Sequence, residues 1–228
     1  MRFIFMMTGV LRCAFNAIFH RHKALFILQS LFIVGCSYSY SVPVDPPILE
    51  PLVDPISGSI AIHYSEELRE HECIIEDFIT IRPPFIVRIG PPSIEMFNSI
   101  FKNIFKEVNV LDSVHDFKFS LGNHSVIELR LSQFLGCDTT IANGPPTFFI
   151  IYEAIVWSAN GERVAQWKGA GDASPSDVKR PLLELTVLDT IDYLTALTRV
   201  AMRRAAADFV VNYSKSPEVQ AWATSRSE

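Results

Sequence analysis

The 228 residues carry 25 acidic and 20 basic side chains, which gives a formal charge of −5. All the acidic residues follow residue 35, so residues 36–228 hold 25 acidic against 16 basic residues and a formal charge of −9. This balance argues against nucleic acid and anionic lipid head groups as partners, and the length is enough for one domain with a sizeable core.

The chain begins with a basic segment followed by a short apolar run. Residues 1–23 contain four basic residues and no acidic one, and residues 24–34 are almost wholly apolar. A helix of that length spans about 16 Å, well short of the roughly 30 Å apolar core of a bilayer, which argues against a membrane-spanning helix. The pattern predicts a cleaved export signal over residues 1–35. Residues 33–36, with the sequence Ile-Val-Gly-Cys, resemble the lipobox of bacterial lipoproteins, which implies lipidation of Cys36.

A proline-rich stretch follows the lipobox. Five prolines lie between positions 43 and 55, a density that prevents a helix and favours extended polyproline II structure. We therefore expect residues 36–58 to form the lipidated cysteine and its tether. The tether either holds the folded part up to roughly 60 Å from the bilayer or lies along the domain as an edge segment.

Two cysteines remain beyond the lipobox, Cys73 and Cys137. In an oxidising compartment they could form a disulfide, closing a loop of roughly 65 residues and stabilising the fold by about 4 kcal/mol. The alternative is two reduced, buried cysteines. Spacing alone does not choose between these alternatives, because it does not show whether the two Cα atoms come within reach.

The first half of the folded part is predicted to contain a strand-helix-strand unit. Residues 59–64 alternate as a first strand, and residues 84–90 form a second short β-rich run. Apolar residues then recur at helical spacing from Ser93 to about Lys106, after two prolines that suit a first helical turn. Extended structure resumes at residues 108–111.

The middle of the chain predicts a three-stranded antiparallel meander with one packed and one solvated face. Its strands cover residues 126–134, 147–157 and 163–167, and Asn160-Gly161 supplies the positive φ angles of a tight hairpin turn. Residues 136–146, rich in Gly and Pro, predict an irregular surface loop.

The last third is predicted to be helical. Gly169-Ala170-Gly171 is interpreted as a strand-ending turn, and Thr186 with Asp189 resembles a helix start. The helix runs to about residue 213, and residues 214–228 are a frayed polar tail. The sequence thus predicts one α+β domain over residues 59–213, in which a mostly antiparallel sheet packs against two helices.

No catalytic or metal-binding constellation is recognisable. The histidines beyond the signal have no metal-ligand spacing and are expected to be isolated on the surface; they are His63, His71, His115 and His124. The acidic stretch 66–72 lacks the pattern of a calcium loop, and Arg199, Arg203 and Arg204 indicate a solvated helix face. We expect no catalytic residue, no metal and no cofactor.

These features together resemble small outer-membrane lipoproteins of Gram-negative bacteria. The resemblance is carried by residues 90–93 opening a helix, by residues 152–167 around the hairpin, by the glycines at 169 and 171, and by the alanine-rich segment 201–209. The nearest groups are the YajG-like and the ABC-transport auxiliary lipoproteins, with the CsgG-like secretion lipoproteins more remote. In lipoproteins of this kind, a residue other than Asp after the lipidated cysteine implies sorting to the outer membrane, and here it is Ser37.

The resemblance implies a role in envelope assembly, transport or secretion. We expect a binding or accessory protein, anchored by its acylated (palmitate-type) N-terminal lipid to the outer membrane, facing the periplasm and binding an envelope protein. The first alternative is an oligomeric subunit of a secretion or transport complex, because exposed sheet edges can add strands from a neighbour. The second is an envelope hydrolase whose site is assembled from distant residues.

Overall fold

Eight strands and four helices make up the part of the chain that the computed structural model describes. That part covers residues 39–46, 56–75, 84–112, 125–137, 147–178 and 186–225, with the side chains of residues 56–58 excepted. The predicted α+β class is confirmed. The predicted signal, Cys36, most of the proline-rich stretch, His115, His124 and residues 138–146 of the predicted loop lie outside the described residues.

The elements alternate along the chain. The strands are β1 (Tyr40–Val42), β2 (Ile56–Tyr64), β3 (Glu72–Ile75), β4 (Phe85–Arg88), β5 (Phe105–Leu111), β6 (Val126–Leu135), β7 (Phe148–Trp157) and β8 (Arg163–Ala173). The helices are α1 (Glu66–Arg69), α2 (Gly90–Ile104), α3 (Val187–Lys215) and α4 (Pro217–Thr224), and a single 3-10 turn covers Pro175–Asp177.

The strands form two mixed sheets. The larger has the order β5-β2-β6-β7-β8, with β2 parallel to both β5 and β6, and with antiparallel pairing through β6, β7 and β8. The smaller has the order β1-β4-β3, in which β1 is parallel and β3 antiparallel to β4. The predicted meander is therefore confirmed as β6-β7-β8, and the longest ladders are antiparallel.

The predicted strand-helix-strand unit connects the two sheets. Strand β4 belongs to the smaller sheet and β5 to the larger, where β5 pairs with β2. Helix α2 between them has its prolines in the first turn, as predicted, and buries one face. Residue patterns specify which segments are strands, but they do not specify which strands pair.

The hairpin between β7 and β8 lies where it was predicted, with a different turn. Only Gly161 has a positive φ, +77°, and no other described residue of the turn does. The Gly161 amide donates to the Ser158 carbonyl at 3.0 Å, and the Ser158 amide donates to the Glu162 carbonyl at 2.8 Å. The hydrogen bond between residues 158 and 162 leaves a three-residue loop, residues 159–161. In this loop Gly161 takes the left-handed position that follows the turn.

Strand β8 does not end at Gly169, and the predicted strand-ending turn is wrong. The strand continues to Ala173, and Gly169 and Gly171 lie on the face that meets α3. A Cβ atom at Gly171 would lie 2.1 Å from the Ala205 amide nitrogen, and one at Gly169 would lie 2.4 Å from the Ala205 carbonyl oxygen. The glycines are there because the helix backbone approaches the strand too closely for a side chain.

The chain also folds beyond the predicted C-terminal boundary. Helix α3 extends to Lys215, and Ser216 caps α4 through its side chain, with Pro217 in the first turn. Helix α4 buries Val219, Trp222 and Ala223. The predicted frayed tail is therefore wrong for residues 216–225, because three apolar residues at helical spacing are enough to dock this short helix.

The predicted N-terminal boundary at residue 59 is also wrong. Residues 40–42 form β1 in the smaller sheet, and Val42 is buried. The Thr195 hydroxyl then donates to the Pro43 carbonyl at 2.8 Å, and the Arg199 guanidinium lies 3.4 Å from the Asp45 carboxylate. Over residues 40–45 the proline-rich stretch therefore lies along the domain as an edge segment, which was the second of the two predicted arrangements.

An aromatic cluster fills the space between α2, α3 and the larger sheet. The Phe97 ring packs edge-on against Tyr152 and Phe209, with both centroid distances at 4.8 Å. Trp167 of β8 packs on Phe209 at 5.2 Å. The Tyr152 hydroxyl, which is fully buried, is hydrogen-bonded to the Ser93 hydroxyl at 2.7 Å, so this polar group of the cluster is satisfied.

We expect Gly171→Ala to destabilise the protein by about 1–3 kcal/mol or more, since the added methyl group meets helix backbone that cannot move alone. Urea unfolding measures the change. Ala170→Val is the control, because residue 170 lies on the opposite face of the same strand and its side chain points away from α3. Equal losses in both variants would contradict the close-packing argument.

Candidate functional site

The two predicted cysteines are brought together. Cys73 in β3 and Cys137, two residues after β6, form a disulfide with Cα atoms 5.1 Å apart. That separation is normal for a disulfide. Cys73 is fully buried. Because β3 and β6 belong to different sheets, the bond joins the smaller sheet directly to the larger one.

A set of polar side chains lies on the face of the larger sheet that points away from α2 and α3. We call it the outer-face cluster, and it consists of His63, Glu128, Arg130, Glu153 and Trp157. The residues come from three neighbouring strands, and the pairing register places His63 beside Glu128 and Arg130 beside Glu153. Strand alternation sets this arrangement, since their neighbours in sequence point into the core.

Glu128 is the most buried carboxylate of the cluster, with 7% of the residue exposed. Its Oε2 accepts hydrogen bonds from the Arg130 guanidinium at 2.8 Å and from the Trp157 indole nitrogen at 2.9 Å. A buried carboxylate needs such donors, and charge-assisted hydrogen bonds are the strong ones. Both donors hold the carboxylate in one position on the sheet.

A second carboxylate extends the outer-face cluster toward the sheet edge. Glu153 in β7 lies 2.9 Å from the Lys168 ammonium and accepts a hydrogen bond from the Gln166 side-chain amide. The Gln166 side-chain oxygen in turn accepts from Arg163 at 2.8 Å. Alternating acidic and basic groups therefore cross β6, β7 and β8 in a continuous row.

His63 is not on the surface, and the prediction that it would be is wrong. Only 4% of the residue is exposed, between Leu111 of β5 and Glu128 of β6. Burial lowers its pKa below the usual value, the nearby Arg69 charge lowers it further, and the Glu128 charge opposes them. Arg69 is fixed there by hydrogen bonds to the backbone oxygens of Tyr64 at 2.9 Å and Leu111 at 2.7 Å.

The second described histidine is half-buried. His71 precedes β3 and its ring lies 5.3 Å from the Phe134 ring. Burial lowers the pKa of His71 as well. The acidic side chains beside it are exposed as predicted, at residues 66, 67, 70 and 72, and Glu72 pairs with Arg88.

The outer-face cluster is suited to recognition by fixed hydrogen-bonding groups. Its two carboxylates already have cationic partners, Arg130 for Glu128 and Lys168 for Glu153. Within the described residues, no group of three His, Cys, Asp or Glu side chains could hold a metal ion. The cluster was not predicted from the sequence, although the charged residues at 128 and 130 in a largely apolar strand were the available signal.

No family model and no curated protein matches the chain. One similar solved structure is protein XCC0632 from Xanthomonas campestris, of the DUF330 family model, with 12% identity, coverage of 82% of this chain and 98% of that chain, and a TM-score of 0.38. A second is the hypothetical protein CT253 from Chlamydia trachomatis, with 7% identity, coverage of 70% of this chain and 99% of that chain, and a TM-score of 0.37. A third is a PelC dodecamer from Paraburkholderia phytofirmans, with 14% identity, coverage of 71% of this chain and 95% of that chain, and a TM-score of 0.32. Likenesses this distant carry no argument about function.

None of the described helices is both long enough and apolar enough to cross a membrane.

Reduction of the disulfide is expected to lower the free energy of unfolding by about 2–4 kcal/mol, because the reduced chain regains the conformational entropy of the loop. Mass-tag alkylation of the exported protein under denaturing conditions should label neither Cys73 nor Cys137 before reduction and both after it. Labelling of both without reductant would show that the bond is absent.

His63 is expected to make stability depend on pH near neutrality. Its folded-state pKa is lowered, so the unfolded chain takes up a proton first, and stability is lost as the pH falls through the usual histidine pKa of about 6.5. His63→Gln should flatten the unfolding free energy between roughly pH 7 and pH 5. Urea unfolding curves between these pH values measure the free energy of unfolding for wild type, His63→Gln and His71→Gln. If the free energy of unfolding depended on pH as steeply in His63→Gln as in wild type, the pH dependence would not come from His63.

Proposed function

We propose that this protein is a lipid-anchored binding or accessory protein of the Gram-negative cell envelope, held at the outer membrane and facing the periplasm. The support is the lipobox-like sequence at residues 33–36 after a basic and apolar leader, followed by Ser37 rather than Asp. The resemblance to YajG-like and ABC-transport auxiliary lipoproteins, which the sequence analysis drew, supports the same role. Under this proposal the lipid on Cys36 is the anchor.

The observation that carries the proposal is the lipobox-like sequence that ends at Cys36, and the fold begins soon after it. Strand β1 starts at Tyr40, so three residues separate it from Cys36. Four peptide steps span at most about 14 Å. A lipid on Cys36 would therefore hold the domain close against the bilayer, and the roughly 60 Å reach expected of a free proline-rich tether is wrong because residues 40–45 belong to the domain.

The outer-face cluster supports the binding role. Arg130, whose side chain is 40% exposed, is held in position by the buried Glu128, so it can present hydrogen-bond donors to a partner without first being ordered. The acidic balance of residues 36–228 favours a protein partner in the envelope over nucleic acid or the anionic lipid surface itself. The partner is thus expected to be another envelope protein.

A second candidate function is an oligomeric subunit of a secretion or transport complex. The observation that favours it is the open arrangement of both sheets, in which β5, β8, β1 and β3 are edge strands. Edge strands can pair with a neighbouring chain. Native mass spectrometry of the detergent-extracted protein distinguishes the two candidates: a defined ring favours the subunit, and a monomer favours the accessory protein.

The anchor is tested by metabolic labelling with radioactive palmitate in a Gram-negative host. Wild type and Cys13→Ala should be labelled and should sediment with outer membranes, whereas Cys36→Ala should be unlabelled, because only Cys36 follows the lipobox-like residues. Cys13→Ala is the matched control, since it also replaces a cysteine of the N-terminal region. Label retained in Cys36→Ala, or absent from wild type, would overturn the anchor.

A further inference from the structure

We propose that the N-terminal half of β8, centred on Gln166, is a binding edge that takes up an extended peptide segment of a partner protein as an additional strand. The proposal names the surface used by the proposed binding role, and it does not depend on the lipid anchor. It rests on how the outward-facing backbone groups of β8 are satisfied. One half of the edge is completed by α3 and the other half is not.

The C-terminal half of the β8 edge is completed by three side chains of α3. They are Arg204, Asp208 and Asn212, spaced four residues apart so that they form one ridge of the helix. Asn212 donates to the Lys168 carbonyl at 2.9 Å, the Ala170 amide donates to Asp208 at 2.9 Å, and Arg204 donates to the Asp172 carbonyl at 2.8 Å. This ridge takes the place of a neighbouring strand.

These contacts also show which residues of β8 face outward. In an antiparallel pair, both backbone groups of alternate residues point away from the partner strand. Lys168, Ala170 and Asp172 point away from β7, so Gln166 does as well. Among the described residues, none bonds on that side to the Gln166 amide and carbonyl or to the Lys168 amide. An edge with unpaired donors and acceptors is a template for another strand.

A groove runs along this open half. It has a volume of about 470 Å³ and is lined by residues 163–168 of β8 on one side and by Glu218 of α4 on the other. Six residues of a strand span about 20 Å. The groove therefore follows the unpaired backbone, and α4 supplies a second wall against which an added strand could rest.

The open edge is too short for a second copy of the chain. The ridge of α3 meets the edge from Lys168 onward, so symmetric pairing of β8 with β8 would engage only the few residues before it. The surface buried by so few residues is far below the roughly 1,200 Å² that a stable specific interface buries. A single extended peptide fits, because backbone pairing needs only the strand and its groove.

The charges around the groove indicate recognition through the backbone. Arg163 and Lys168 are balanced by Glu153 and Glu218, and Lys168 is already paired with Glu153. The lining therefore gives no excess charge that would select an acidic or a basic partner. We infer an occupant whose alternate amides bond to Gln166 and Lys168, with little demand on its side chains.

The test uses the full chain purified in detergent and a displayed library of random ten-residue peptides. The most enriched peptide is synthesised, and its affinity is measured for wild type, Gln166→Pro and Gln166→Ala. Proline removes an outward amide that does not take part in the β7 ladder, a position where edge strands tolerate proline. Alanine is the matched control, because it removes the side chain and keeps the backbone donor.

We expect Gln166→Pro to weaken binding about tenfold or more and Gln166→Ala to change it little. Methylating the peptide amides one at a time should abolish binding at alternate positions only, and this second measurement on wild type holds even if the proline variant does not fold. Failure to enrich any peptide, equal losses in both variants, or a uniform effect of methylation would overturn the proposal. So would a wild-type dimer, seen by sedimentation, that Gln166→Pro dissociates.

The peptide-binding test of the edge can fail or succeed independently of the palmitate-labelling test of the anchor. If palmitate labelling fails while the peptide binds, the anchor is wrong and the edge stands. If the labelling succeeds while no peptide binds, the edge is wrong, and the outer-face cluster remains the surface of the accessory role.

Discussion

The fold depends on the close contact between α3 and β8. Two glycines on one face of the strand let the helix backbone come nearer than any side chain allows, and Ala201 and Ala205 on the helix face them. At this distance the long polar residues of α3 can reach the backbone of β8, and Phe209 reaches the aromatic cluster. Larger residues at positions 169 or 171 would remove all of these contacts together.

The same contact divides the surface of the larger sheet into closed and open parts. Helices α2 and α3 cover one face, and side chains of α3 complete half of the β8 edge. On the opposite face Arg130 and Lys168 are partly exposed, and the edge near Gln166 borders a groove. The smaller sheet is held to this arrangement at two places. The Cys73–Cys137 disulfide joins it to the end of β6, and residues 43–45 join it to α3 through Thr195 and Arg199.

Local patterns predicted the longer elements and missed β1, β3 and α4, whose positions depend on long-range packing. The capped start of α3 at Thr186, the prolines of α2 and the β6-β7-β8 meander each have a short-range physical cause that is visible in sequence. The role of Gly169 depends on a helix some 36 residues later, and a glycine in a strand is locally indistinguishable from a break. His63 and Glu128 are adjacent only because β2 and β6 pair in parallel, which no local pattern encodes.

Helix α3 relates the proposed anchor to the proposed binding edge. Its residues 195 and 199 hold the segment that follows β1, and Asn212 holds β8 at the point where the open edge begins. Residues 195 and 212 are 17 residues apart along the helix, or about 25 Å. The proposed edge therefore lies at the end of α3 far from the segment that follows β1. Under both proposals, a partner strand would be bound on the side of the domain that α3 carries away from that segment.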